Sequence, residues 1–246
     1  MRRALWREGF RLAFTPRSPG VAVRSPPLPK VWGMRDQYYE QLDAIVDDLV
    51  NLTGTVRRAV ADATRALLEA DGQVAEAVIA GDKVIDEETE VIEERTLLLL
   101  ATQQPVATDL RQLVATLRML ADLQRMGDLS VHVAKIARRR MPDSAVPLNL
   151  HPTILSMAAV ADSMIDSASR IVANRDVAKA AQLESEDDEM DRLRKDLFRS
   201  LLGDSWDHGV EPAVDIALLG RYYERIGDHA VSMARRVVYL VTGQLT

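Results

Sequence analysis

The sequence predicts an all-α protein: two pseudo-symmetric three-helix bundles generated by an internal repeat. Three observations carry that prediction. The composition is 47% apolar but only 4% aromatic, and Ala, Leu, Val, Asp, Glu and Arg dominate it, a mix typical of helical proteins. Apolar residues recur at alternating steps of three and four over lengths that suit helices. Finally, Glu224-Arg225-Ile226-Gly227-Asp228 has a partial echo, Gln124-Arg125-Met126-Gly127-Asp128, one hundred positions earlier. That period is too long for a solenoid unit, so it reads as two copies of a three-helix hairpin.

Residues 1–33 differ from the rest. They hold five of the ten prolines, with seven basic residues (Arg2, Arg3, Arg7, Arg11, Arg17, Arg24, Lys30) against the single acid Glu8. An Arg-rich, acid-poor leader without an apolar core is no secretory signal. We read this stretch as a disordered or misassigned N-terminal extension, with translation starting at Met34.

The first repeat is expected over 34–142. Leu42, Ile45, Leu49, Leu52, Val56 and Val60 keep helical spacing, giving a first helix to Glu69. Ala70-Asp71-Gly72 interrupts it, and Asp71 is a suitable N-cap for a second helix over 73–102. Gln103-Gln104-Pro105 turns the chain. A third helix follows over 108–140, with Leu110, Leu113, Leu117 and Leu120 as its inner stripe and Arg138-Arg139-Arg140 at its carbonyl end.

Pro142, Pro147 and Pro152 mark the connector, and the second repeat is expected over 148–246. Its helices are predicted at 153–174, 176–201 and 211–242. Asn174-Arg175-Asp176 answers Ala70-Asp71-Gly72. On the last helix Ile216, Leu219, Tyr223, Ile226, Ala230, Met233 and Val237 form one stripe. Ala213, Ala217, Gly220, Gly227, Val231 and Ala234 form a second, so this helix is contacted on two sides. Met119, Met126, Met157, Met164 and Met190 read as core filler.

Composition excludes several function classes. With no cysteine, thiolate metal sites, disulfides and cysteine nucleophiles are ruled out. The longest apolar run, Leu97 to Ala101, is far below the roughly 18 residues that a spanning helix needs. The net charge of −6 includes +6 in residues 1–33, so the remainder carries −12. Such a body is a poor partner for nucleic acid, whose affinity rests on phosphate contacts. Glycine loops for nucleotides and serine nucleophile elbows are absent, and no small-molecule site for phosphate is visible.

The candidate functional residues are paired acids. Glu224 and Asp228, one turn apart on a helix, share a face. Two ionised carboxylates so placed repel by a few tenths of a kcal/mol, so a hard cation, Arg225 or a basic partner should offset them. Glu224 falls in the small-residue stripe between Gly220 and Gly227, where an unpaired charge would be costly. Asp187/Asp191 and Asp82/Asp86 repeat the spacing on the middle helix of each repeat. Antiparallel packing would bring them to face Glu224/Asp228 and Asp128. A carboxylate set almost without histidine suits divalent or trivalent hard ions such as Mg²⁺, Mn²⁺ or iron, not structural zinc. The same pairs are also what an ordinary solvated acidic face would show. Glu-x-x-His motifs of ferritin-like oxidases do not occur, and His132 and His229 read as packing or surface residues.

Met-Arg-x-x-Tyr-x-x-Gln-Leu (Met34 to Leu42), Gln-Pro-Val-Ala-x-Asp-Leu-Arg (Gln104 to Arg111) and Glu-Arg-Ile-Gly-Asp-His-Ala (Glu224 to Ala230) together resemble the PhoU family, over essentially all of 34–246. The resemblance implies two pseudo-symmetric three-helix bundles with metal clusters on Glu/Asp-x-x-x-Asp pairs. It implies a cytoplasmic, non-enzymatic negative regulator of phosphate uptake and phosphate-starvation signalling. Its expected partners are the ATPase subunit of the phosphate ABC transporter, the sensor histidine kinase and a second copy of itself in a homodimer. The motif falls on Glu224 and Asp228 in the second copy. In the first, Asp128 matches but Gln124 replaces an acid, which weakens that cluster, with Asp122 a further acid in reach. Arg125 and Arg225 are expected to orient or pair with the acids. The rival class is a carboxylate-bridged metalloenzyme of helical-bundle type; a third reading is a helical scaffold whose acids are surface charge.

Overall fold

Two of the long helices, the first of each repeat, end where a residue turns left-handed and an aspartate starts the next helix. In the computed structural model, which describes residues 32–244, α1 (Trp32–Glu69) is closed by Ala70 at a φ of 51°. Asp71 N–H then donates to the Ala66 carbonyl at 3.1 Å, the six-to-one bond of a Schellman turn. The Asp71 carboxylate next accepts from the N–H groups of Gln73 and Val74 at 2.9 and 3.1 Å, capping α2 (Gly72–Gln103). The second repeat does the same: α4 (His151–Asn174) stops at Arg175, φ 53°, and Asp176 caps α5 (Val177–Leu202) through the Lys179 N–H at 3.0 Å. The remaining elements are α3 (Ala107–Arg140), a 3₁₀ turn over Leu148–Leu150, and α6 (Val210–Thr242). No strand occurs among the described residues.

The fold is all-α, as predicted, and the helix ends agree with the periodic stripes to within a few residues. Most of the extension, residues 1–31, lies outside the described residues, and α1 begins ahead of Met34, at Trp32. Two details differ. Pro152 belongs not to the connector but to the first turn of α4, where its missing N–H removes no helical hydrogen bond. Leu110 is 42% exposed, whereas Leu113 and Leu120 are buried. It sits in the first turn of α3, where the helix has only begun to enter the bundle.

Helices α1, α3, α4 and α6 pack together, α1 on α4 and α3 on α6, while α2 lies against α1 and α3, and α5 against α4 and α6. Each repeat therefore contributes two helices to a common centre and one to the flank. All seven residues of the predicted α6 stripe are buried, as are the five methionines. They join the residues of the first repeat in one continuous apolar core. Within it, the buried Tyr223 hydroxyl meets Thr64 Oγ1 at 2.7 Å, tying α6 to α1.

Candidate metal-binding faces

The acidic faces form where a flanking helix crosses a glycine. On α3, a Cβ added at Gly127 would lie 3.2 Å from Ile85 and 3.5 Å from the Asp82 carboxylate. On α6, one added at Gly227 would lie 3.1 Å from Met164 and 3.6 Å from the Asp187 carboxylate. The glycine preceding Asp128 and Asp228 thus admits the close approach of Ile85 in one copy and Met164 in the other, with the aspartate of the flanking helix in ordinary contact beside it.

In the first face the structure brings Asp82 and Asp86 of α2 against Asp128 of α3. Burial raises the Asp82 carboxyl above its ordinary range, and the charges of Asp86 and Asp128 push it further, against a weaker opposite pull from Lys135 and His132. Gln124 turns its amide onto this set: Nε2 donates to Asp86 Oδ1 at 2.8 Å. Arg125 Nη1 pairs with Asp128 at 3.2 Å. Asp122 points elsewhere. It is buried between α3 and α6, where it accepts from Arg236 Nε at 2.9 Å and meets His229 Nδ1 at 3.0 Å.

In the second face Asp187 and Asp191 of α5 meet Asp228 of α6. Burial raises the Asp187 carboxyl, with Asp228, Asp191, Asp188 and Glu224 adding to it in that order. Asp191 also pairs with Lys195 at 3.5 Å. Glu224 is buried, 8% exposed, and is an arginine-paired residue: Arg221 Nη1 bonds one carboxylate oxygen and Arg194 Nε lies 3.6 Å from the other. Arg225, expected to take that part, is exposed and pairs with no described residue. The residues that sequence reasoning missed are therefore Arg194 and Arg221. Arg221 stands three positions before Glu224 and was legible from helical spacing; Arg194 was not, because only the packing of α5 on α6 places it.

The donor chemistry of both faces fits hard cations. The side chains as placed, however, do not converge. Among the described residues, no three Asp, Glu or His groups gather closely enough to hold one ion. What the geometry gives is two open carboxylate faces under mutual repulsion, the second with one of its four acids already neutralised by arginine.

Comparison with known proteins agrees with the fold and with its repeat. The model of the PhoU domain matches residues 49–137 and again 154–237. A Mycobacterium tuberculosis protein named phosphate-specific transport system accessory protein PhoU homolog 2 is 46% identical over 210 residues, 85% of this chain and 99% of that relative. A Mycobacterium leprae protein, PhoU homolog 1 of the same description, is 44% identical over 85% of this chain and 95% of its own length. Among solved structures, PhoU from Pseudomonas aeruginosa superposes with a TM-score of 0.79 at 29% identity, covering 85% of this chain and all 100% of that one. The family match spans both repeats and most of the sequence, and the chain belongs to the PhoU family.

Proposed function

We propose that this chain is a non-enzymatic adaptor that restrains phosphate uptake and phosphate-starvation signalling from the cytoplasmic side of the membrane. It would do so by contacting the ATPase subunit of the phosphate ABC transporter and the sensor histidine kinase. The observation that carries the reading is the near-full-length similarity to relatives named accessory proteins of phosphate-specific transport. Two features support it. No helix among the described residues is long and apolar enough to cross a membrane, so an effect on transport would work through contact. The strongly acidic body also favours basic protein surfaces over nucleic acid.

The proposal includes a cation at the two faces, held by Asp187, Asp191 and Asp228 in one and by Asp82, Asp86 and Asp128 in the other, with Glu224 left to its arginines. The supporting observation is the crowding that raises Asp187 and Asp82; a hard ion would turn that repulsion into attraction, supplying charge neutralisation and a fixed surface. Small turns of the acid side chains would be needed to close on it. A homodimer is part of the same proposal, and sedimentation should then return twice the chain mass of 27.3 kDa.

The test is a phosphate-starvation reporter in a strain deleted for this gene and for any second family member. Deletion should switch the reporter on in phosphate-rich medium, and the intact chain should silence it. A reporter that never responds to the deletion would refute the regulatory reading. Complementation by Asp187→Asn/Asp228→Asn, with metal content measured on the purified variant, asks separately whether the acids matter. Unchanged metal content would remove the cation from the proposal and leave the adaptor role standing.

A further inference from the structure

The acidic chain carries a cleft of opposite character between α3 and α6. Its walls include Arg118 from α3 and Ser232, Arg235, Arg236 and Tyr239 from α6, around a volume of about 160 Å³. Drug-sized ligands occupy pockets of roughly 300 Å³ or more, so this cleft has room for a small ion rather than a nucleotide.

Two arginines are already braced. Arg236 Nε donates to the buried Asp122 at 2.9 Å, and Arg235 Nε donates to Glu184 of α5 at 3.1 Å. Each is held through Nε alone, so the Nη groups make no hydrogen bond to a described residue and stay available as donors. Arg118 has neither an ion pair nor a hydrogen bond among the described residues. Guanidinium groups arranged in this way offer forked donors matched to the oxygens of a phosphoryl group, and the Ser232 and Tyr239 hydroxyls add neutral donors.

The internal repeat supplies an independent comparison. Shifting by one hundred positions places Ala115 on Asp215 and Tyr239 on Arg139. At the related place in the other copy, Asp215 is 3% exposed and accepts from Arg139 Nη2 at 2.8 Å and Arg140 Nε at 2.5 Å. There the protein supplies its own anion to its arginines. Here a buried alanine stands in the aspartate's place, and Tyr239 and Leu240 stand where its two arginines would be, so that ion pair is absent as a whole. The cleft's own arginines are particular to this copy, and Arg118 has no acidic partner among the described residues.

From this we propose that the α3–α6 cleft binds a small tetrahedral oxyanion of the phosphate class, with Arg118, Arg235 and Arg236 as its charged donors and Ser232 and Tyr239 beside them. The site is distinct from both acidic faces and does not depend on the regulatory reading.

Equilibrium dialysis of radiolabelled inorganic phosphate against the full chain at low salt, where surface charge is least screened, tests it directly. Saturable binding is expected, with sulfate competing. Arg118→Gln, an exposed substitution, should weaken it by about tenfold or more, and Arg118→Lys, which keeps the charge but loses the fork, should fall between. Arg138→Gln, which removes an exposed arginine elsewhere, serves as control and should leave it unchanged. A parallel series with methyl phosphate separates the sources: binding of inorganic phosphate alone means the free ion, and tighter methyl phosphate means a terminal phosphoryl group. No saturable binding of either up to about 10 mM, or equal losses in Arg118→Gln and Arg138→Gln, would overturn the proposal.

Discussion

At Asp187, burial and the charges of Asp228 and Asp191 act in one direction, raising its carboxyl above the ordinary range. A raised acid means that protonation favours the folded state. Its stabilising contribution is present below the unfolded-state value, near 4, and is lost as pH rises through the folded one. At neutral pH the ionised group therefore works against folding. Asp187→Asn should raise Tm at pH 7 in metal-free buffer by about 1–2 °C, because the group is partly exposed and such like-charge pairs cost only tenths of a kcal/mol. The advantage should shrink as the pH approaches 4, where the wild-type carboxyl takes up its proton. Added Mn²⁺ should reverse the order, stabilising the wild type more than the variant. A variant equal to the wild type at pH 7 would mean that the repulsion is solvated away. The pairs themselves were legible from the spacing of four. The fate of Glu224 was legible only as a choice between a cation and an arginine, since Arg194 reaches it from another helix.

The two capped turns show what local sequence can settle for an element. Asp71 was readable as an N-cap because a short acceptor before a periodic stripe has few other uses. Ala70 was not readable as a left-handed residue, because alanine does not advertise one. Its φ of 51° costs an L residue roughly 1–2 kcal/mol, and glycine removes that strain while adding some unfolded-state entropy. Ala70→Gly should accordingly stabilise the chain by about 0.5–1 kcal/mol, read as a higher urea midpoint with unchanged slope. Arg175→Gly, at φ 53° in the matching turn, should gain less, because it also removes the bond from Arg175 Nη2 to Gln112 Oε1 at 2.9 Å. Equal gains at both turns would show that this cross-repeat bond contributes nothing. Leu110 illustrates the limit of periodicity: it keeps the stripe's spacing, yet in the first turn of its helix it is left 42% exposed by the described residues.

For the whole molecule, the repeat announced two bundles, and the two stripes of α6 announced contact on two sides without showing that one side belongs to the other copy. The apolar stripe of α6 faces helices of both copies, and the buried core runs without a break from Leu42 in α1 to Val237 in α6. Polar bonds reinforce the same seam: Tyr223 to Thr64 at 2.7 Å, and Arg57 to Asp162 at 2.6 Å. The Arg57 pair is substantially exposed and contributes under about 1 kcal/mol, so burial dominates the coupling. Chains of this length commonly unfold in stages, and independent bundles would give two transitions. A shared core predicts one. Calorimetry on the full chain should show a single peak whose calorimetric and van't Hoff enthalpies agree. Residues 148–246 alone should lack a cooperative transition, because the faces of α4 and α6 that meet α1 and α3 would be opened to water. Two resolved peaks, or a cooperatively folding second repeat, would mean that each copy closes its own core and that the seam between them is only a contact.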